Sequence, residues 1–451
     1  VTTDRPAATQ PWYGSRARLT GLFVAACVFS LLVANLASTW LNQYDLNIYD
    51  SAVRSWTSGN GLYEYSQWDP TMGSIGFTYP PLAAVLMAPM ASVGFTTVQV
   101  VTLTAIVVAG AAMLAVILVR VLPSQFSPGR ALLSGARVLT RKETLAAILV
   151  LTPIAFTTEP WRENLSFGQI NIFLGLLVAA DLLWISKKYP RYAGIGVGLA
   201  TALKITPGIF LIQLLVTRQW RAARNGIGTA VIGTVIGGLA MPRDTWSYFT
   251  ERLWDTSKVG SPAYVQNQSL NGVAVRFFDI NTDSKTLWLL GSIMVLVVGM
   301  VAVARLHKVN PVAAMTVTGL VGVLIAPVSW MHHNVWVVPA LLLLIVGWWQ
   351  LRGSHGEQRR HRIALAVLSV VGLLSWGMHP ATYLHRTVVW YDASTVELVL
   401  SAVPMLWCLV LVLFADWCFR SPGSAPAAAG DRVAGSRSAL RSEKKSERDE
   451  W

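Results

Sequence analysis

Asp45 stands in the run Tyr44-Asp45-Leu46-Asn47-Ile48-Tyr49, a few residues beyond an uncharged apolar stretch, residues 19 to 40, that is long enough to cross a bilayer. A carboxylate emerging where such a helix ends can act as a base on a lipid-linked substrate. Asp50 is its nearest rival, five residues on and on a different face if the segment is helical. Three further polar clusters stand at the ends of apolar blocks. They are Glu159, Arg162, Glu163, Asn164, Gln169 and Asn171; Gln266, Asn267, Gln268, Asn271 and Arg276; and Trp330, His332, His333 and Asn334. Amides and carboxylates take the hydrogen bonds of sugar hydroxyls, aromatic rings pack on the apolar face of a sugar, and cations hold phosphate. For Trp161, Trp246, Trp336 and Trp390 the plainer reading is an interfacial belt.

Membrane helices have to position these groups. Of 451 residues, 53% are hydrophobic and 13% charged, and the apolar residues fall in blocks. Clear blocks lie near 19 to 40, 96 to 119, 167 to 186, 286 to 304, 311 to 329, 334 to 351, 363 to 378 and 398 to 415, with weaker ones near 144 to 158 and 225 to 241. The net charge of +13 comes largely from Lys and Arg in the short loops between blocks, the positive-inside pattern of a bilayer protein and not a nucleic-acid surface. Basic clusters at Arg16 and Arg18, Arg130 to Lys142, Lys187 to Arg191, Arg218 to Arg224, Arg305 and Lys308, and Arg352 to Arg362 are therefore assigned to the cytoplasm. The connections at 41 to 79, 159 to 166, 242 to 285, 330 to 333 and 379 to 395 are poorer in Lys and Arg and are assigned outside, so all four polar clusters share one face.

Parity then constrains two ambiguous blocks. Residues 79 to 94 carry Pro80, Pro81 and Pro89 and are expected to form a short juxtamembrane or re-entrant helix. Residues 193 to 216 have basic clusters on both sides and are interrupted by Lys204-Ile205-Thr206-Pro207-Gly208, so two short helices should meet near Lys204 and return the chain to the cytoplasm. The expected fold is an all-α polytopic membrane protein with about twelve crossings, a helical juxtamembrane first outer loop and both termini cytoplasmic. Its parts are a cytoplasmic arm (1 to 18), a transmembrane catalytic domain (19 to 420) and a disordered cytoplasmic tail (421 to 451) rich in Ser, Ala, Arg, Lys and Glu. The first helix lacks a small-residue cleavage site and reads as a retained anchor. Lys204 falls at the outer edge of an expected cavity, where snorkelling and phosphate binding are both open.

Cys27, Cys408 and Cys418 lie in or beside apolar spans, no Cys/His pair has zinc-ligand spacing, and no Walker or dinucleotide fingerprint is present. No cofactor and no metal are expected.

Six phrases carry a family resemblance: Asp45-Leu46-Asn47-Ile48-Tyr49, Thr78-Tyr79-Pro80-Pro81-Leu82, Phe167-Gly168-Gln169-Ile170-Asn171, Leu203-Lys204-Ile205-Thr206-Pro207, Asn267-Gln268-Ser269-Leu270-Asn271-Gly272 and Pro327-Val328-Ser329-Trp330-Met331-His332-His333. In this order, between about residues 19 and 415, the chain resembles glycosyltransferase family 87, the GT-C-type membrane mannosyltransferases of actinobacterial envelopes. The resemblance implies a polyprenyl-phosphate-mannose donor, a glycolipid acceptor such as a phosphatidylinositol mannoside or lipomannan, and an α-1,2 product made on the outer face of the plasma membrane. It also implies an essential Asp, matched by Asp45, and an essential His, matched by His332 or His333.

The donor then carries a β-linked mannose, and an α product requires one inverting displacement in which Asp45 takes the acceptor proton. Lys204, Arg276 and the histidines are the groups suited to the leaving phosphate, although Arg276 can equally pair with Asp279. Tyr79, Gln169, Asn171, Asn267, Gln268, Asn271 and Trp330 complete the expected substrate contacts. Arabinose or glucose as the donor sugar, and a lipid-linked sugar transporter, are the alternative readings.

Overall fold

The computed structural model describes residues 16–36, 41–69, 73–121, 140–255, 259–278, 282–377 and 393–420. Arg130, Arg137, Asp279, Trp390, most of the connection at 379 to 395, most of the N-terminal arm and the tail lie outside the described residues.

The chain is helical almost throughout. In order come α1 (Arg16–Leu36), α2 (Tyr44–Thr57), α3 (Pro81–Met87), α4 (Phe95–Val121), α5 (Arg141–Ala155), α6 (Glu159–Phe167), α7 (Asn171–Ala180), α8 (Ile195–Leu203), α9 (Ile209–Val216), α10 (Trp220–Ala240), α11 (Leu270–Phe278), α12 (Thr282–Leu306), α13 (Pro311–Ile325), α14 (Val337–Gln350), α15 (Gly356–Gly377) and α16 (Thr395–Leu413). Among the described residues, α4, the Ser284–Leu306 part of α12, and α16 are long and apolar enough to cross a bilayer, and α5 with α6 would make a fourth span bent by 77°. The apolar α13 and α14 have 15 and 14 residues, about 22 Å of helix against a hydrocarbon core of about 30 Å. An all-α membrane architecture is evident; the described helices do not by length and composition add up to twelve full spans. On α4, Val100, Val101 and Val108 are exposed, as are Leu289, Leu290 and Val297 on α12. Such apolar outer faces suit a lipid solvent.

Helix α13 is the centre of the bundle, buried around most of its circumference and packed by α12, α16, α9 and α14. Close approach explains its glycine: a Cβ at Gly319 would clash with the indole ring of Trp336. Trp336 and Trp161 are thus core residues, the latter fully buried with its indole N–H on the Val335 carbonyl. This corrects the interfacial reading for both; Trp246 is exposed.

Helices α8 and α9 form a hairpin against α10. Gly194 and Gly198 abut Ala222 and Gly226, and Ala202 meets Gly233, so α8 runs parallel to α10. Leu211 of α9 meets Gly226 again, and Gln219 N–H bonds the Leu214 carbonyl, so α9 runs back. Lys204 sits at the tip, as the break at Lys204 to Gly208 implies. Farther along α10, Gly237 touches Pro81 and Leu82 of α3, a seven-residue helix continued by the tight turn Ala88–Ser92.

Helix α2 lies over a second apolar core. Leu46, Tyr49 and Val53 recur at helical spacing and are buried with Phe77, Tyr79 and Ala84. One element was not anticipated in this otherwise helical region: strands β1 (Ser66–Asp69) and β2 (Gly73–Gly76) form an antiparallel hairpin with Ser66 opposite Gly76. Its short period-2 run carries too few β-branched residues to signal a strand.

Candidate active site

Asp45 occupies the first turn of α2, where the positive end of the helix dipole favours a carboxylate. Gln43, left-handed with φ 51°, makes the entry: its N–H bonds the Ser166 carbonyl at 2.8 Å, and its side-chain amide donates to Leu165 and Ser166. Opposite lies Gly168, with φ 71°, where a Cβ would sit 2.6 Å from that of Leu46. Glycine is required there on both counts, and it lets α6 end with Gln169 directly beside Asp45.

A directed network follows. Gln169 Nε2 donates to Asp45 Oδ2 at 2.7 Å. Gln169 Oε1 accepts from the Tyr79 hydroxyl at 2.9 Å and from Asn171 Nδ2 at 3.3 Å. Tyr79 shares its hydroxyl with that of Tyr49 at 2.7 Å. Lys204 Nζ donates to Asn171 Oδ1 at 2.8 Å and lies 4.9 Å from the centre of the Tyr79 ring. Lys204 is buried, so it is not snorkelling to an interface. The hairpin that carries it is fixed at its base by Asp181, whose carboxylate accepts from the N–H groups of Gly194 and Val197 and so caps α8.

Burial pushes the Asp45 carboxyl above the ordinary carboxylate range, against the opposing pull of His332, the Gln169 bond and Lys204. Desolvation likewise lowers His332 to about 4 and holds His333 well below the usual imidazole value, with Lys204 adding to both shifts.

The histidines lie in the segment between α13 and α14, extended at Trp330 and then turned at Met331–His333. Amides pin it. Asn164 Nδ2 donates to the His332 carbonyl at 2.7 Å, Asn267 Oδ1 accepts from Ser329 N–H at 2.9 Å, and the Gln268 N–H bonds the Ser329 carbonyl at 2.8 Å. His332 Nδ1 faces the buried Glu163 Oε2 at 3.3 Å. A carboxylate on Nδ1 fixes the ring's orientation and leaves Nε2 for other partners.

Asp45, Lys204, Gln169, Tyr79, Trp330, His332 and His333 line one cavity of about 540 Å³, within the range of about 300–1,000 Å³ usual for small-molecule sites. Its walls are rich in tyrosine, with Tyr63, Tyr248 and Tyr264 beside the expected residues. Sequence inspection missed these three and the role of Glu163, because nothing in a single chain tells a lining tyrosine from a packed one. The Tyr63-Glu64-Tyr65 run, next to the Asp45 segment, was the available hint.

Other expected contacts are not brought to this cavity. Asp50 forms a two-pronged ion pair with Arg54, at 2.8 and 3.1 Å, and Arg54 also holds the carbonyls of Met90, Ala91 and Val93, so the pair clamps α2 to the following turn. Arg276 donates to the carbonyls of Tyr264 and Asn267. Gln268 bridges Val265, Ser401 and Met405, and Asn271 donates to the Pro327 carbonyl. These side chains, with Asn267, brace the wall that carries the histidines; Gln266 is the member of that run which lines the cavity. Asn171 acts through Lys204 and Gln169.

Residues 77–327 match glycosyltransferase family 87. The chain is 33% identical over 365 residues, 77% of its own length and 79% of the relative's, to a polyprenol-phosphate-mannose-dependent α-(1-2)-phosphatidylinositol mannoside mannosyltransferase of Mycobacterium tuberculosis. It is 31% identical over 358 residues, 76% and 77% of the two chains, to the protein of the same description from Mycolicibacterium smegmatis. To a polyprenol-phosphate-mannose-dependent α-(1-2)-phosphatidylinositol pentamannoside mannosyltransferase of Mycobacterium tuberculosis it is 32% identical over 388 residues, 83% of each chain. No solved structure matches the chain.

Proposed function

The chain belongs to glycosyltransferase family 87 and is a glycosyltransferase, and on that premise we propose that it moves mannose from polyprenyl-phosphate-mannose to a mannosyl hydroxyl of a phosphatidylinositol mannoside or lipomannan acceptor, with inversion to an α-1,2 product. The observation that carries this reading is the convergence of Asp45, Lys204 and the two histidines on one cavity. A base and a set of phosphate partners are the two things the reaction needs, and they come from separate elements.

In this mechanism the acceptor oxygen attacks C1 of the mannosyl group from the face opposite the phosphate. The C1–O bond to the phosphate breaks, its electron pair stays on the leaving oxygen, and the hydroxyl proton passes to Asp45. Such a base contributes roughly 10²- to 10⁴-fold. The Lys204 ammonium would meet the charge growing on the leaving phosphate, and His332 Nε2 or His333 would supply a further polar contact. Tyrosine and tryptophan rings offer apolar walls to the two sugars.

The extracytoplasmic face is supported by charge. Lys187, Arg218 and Lys308 gather round a second cavity at the other ends of α10 and α13, helices that reach the Asp45 region at their far ends. By the positive-inside rule that basic end faces the cytoplasm.

Membranes containing the protein, incubated with radiolabelled polyprenyl-phosphate-mannose and a phosphatidylinositol mannoside acceptor, test the proposal. The expected result is a labelled glycolipid that releases its label to an α-mannosidase. Uptake or flipping of label without a covalent product would overturn it in favour of a transporter, and labelling only from an arabinosyl or glucosyl donor would overturn the choice of sugar.

A further inference from the structure

The second cavity, about 820 Å³, is lined by Lys187, Arg218, Lys308, His307 and Gln213 over an apolar floor that includes Leu182 and Val216. Helix α10 has 21 residues, so its ends are about 30 Å apart. Gln219, just before it, lines this cavity, and Met241, just after it, is buried in the aromatic core beneath α2. Helix α13 repeats the pattern, with Pro311 lining the basic cavity and Ala326, just past its end, lining the Asp45 cavity. The two cavities are therefore at opposite ends of the bundle.

Charge and one buried amide single this cavity out. Among its described lining residues there is no carboxylate, and none of Lys187, Arg218 and Lys308 is in an ion pair among the described residues. Arg218 keeps a full side chain at φ 57°, a left-handed position where glycine or asparagine is the easier choice. Gln213 is 3% exposed and its Oε1 has no hydrogen-bond partner among the described residues, a cost that a donor from a ligand would remove. His307 Nδ1 is engaged by the Ala304 carbonyl at 2.8 Å, which directs its other nitrogen elsewhere.

We propose that this cavity binds the phosphate-bearing headgroup of an anionic phospholipid from the leaflet opposite the candidate active site. Three cations meet the phosphate, a headgroup hydroxyl meets Gln213, and the apolar floor meets the start of the acyl chains. Basic pockets between membrane helices are suited to such headgroups. The bound lipid joins the segment that follows α7, the α9–α10 turn and the α12–α13 turn, and so fixes the base of the hairpin whose tip is Lys204.

Native mass spectrometry of the full-length protein, released from micelles of equal phosphatidylglycerol and phosphatidylcholine, tests this. The wild type is expected to retain one more phosphatidylglycerol than the Lys187→Ala/Arg218→Gly/Lys308→Ala variant. A charge-matched control, Lys142→Ala/Arg359→Ala/Arg360→Ala, should retain as many as the wild type, and Gln213→Leu should lower occupancy. Equal retention by the wild type and the first variant, equal retention of phosphatidylcholine, or loss of the same lipid from the control would overturn the proposal. Displacement of the lipid by excess inorganic phosphate would also overturn it, assigning the cavity to a free anion.

Discussion

Gln169 donates to Asp45 at 2.7 Å through its Nε2, and it cannot turn its amide over without losing two other hydrogen bonds, because its Oε1 already accepts from Tyr79 and Asn171. The donor is thereby held toward the carboxylate. A hydrogen bond to the charged form opposes the burial that raises the Asp45 pKa.

Gln169→Leu should lower kcat/KM by about 10- to 100-fold, the usual worth of one hydrogen bond to a charged group. Its pH profile carries the diagnostic. Without the donor the charged carboxylate is disfavoured, the pKa rises further, and the acid limb should move to higher pH than in the wild type. A fall in rate with an unmoved limb would separate Gln169 from Asp45.

Glu163 touches His332 Nδ1 from the side away from the cavity, which makes it a positioning residue. Glu163→Gln keeps a hydrogen-bonding partner for the ring and should reduce kcat more than it raises KM for the donor; Glu163→Ala, which frees the ring, should cost more. If both variants only raise KM, the imidazole is a binding group and its orientation is not set by Glu163.

Lys204→Met removes the ammonium while keeping an unbranched chain of similar length in a buried position. Donor KM and inhibition by free polyprenyl phosphate should both weaken by at least about tenfold, equivalent to about 1.4 kcal/mol. Lys204→Arg should rescue the charge only in part, because guanidinium geometry differs from a point charge in a closed site. Unchanged inhibition by polyprenyl phosphate in Lys204→Met would remove Lys204 from the phosphate site.

Stability should move against activity at Asp45. The folded-state pKa is raised above that of the unfolded chain, so ionisation destabilises the fold: the protonated form's stability is fully present below the unfolded value and is lost as pH rises through the folded one. Asp45→Asn keeps an acceptor for Gln169 and removes the charge, so it should melt higher than the wild type at neutral pH. The difference should shrink as pH falls through the raised pKa toward the ordinary carboxylate range. A lower melting temperature at neutral pH would contradict the electrostatic account.

Much of this was legible in the chain. The Pro-bounded segment at α3 and the break at Lys204 follow from local chemistry that needs no tertiary information, and the apolar blocks mark the long helices. The amide run at Asn267 to Asn271 was misleading for a physical reason. Polar residues at the outer end of a bundle can serve either a ligand or the backbone of a neighbouring loop, and Asn267, Gln268 and Asn271 bond the latter. Arg276 and Asp50 behave in the same way, each bonded within the scaffold. Glu163 looked like one more loop carboxylate because its partner, His332, is 169 positions away.

Initial rates of labelled mannose transfer by purified wild type, Asp45→Asn and Asp50→Asn, each with its melting curve as a fold control, decide whether Asp45 is the base. The role of Asp45 as base predicts a loss of roughly 10²-fold or more for a folded Asp45→Asn, with transfer retained in Asp50→Asn even where loss of the Arg54 pair lowers its melting temperature. Near-wild-type transfer by a folded Asp45→Asn, or its abolition only in Asp50→Asn, would contradict it.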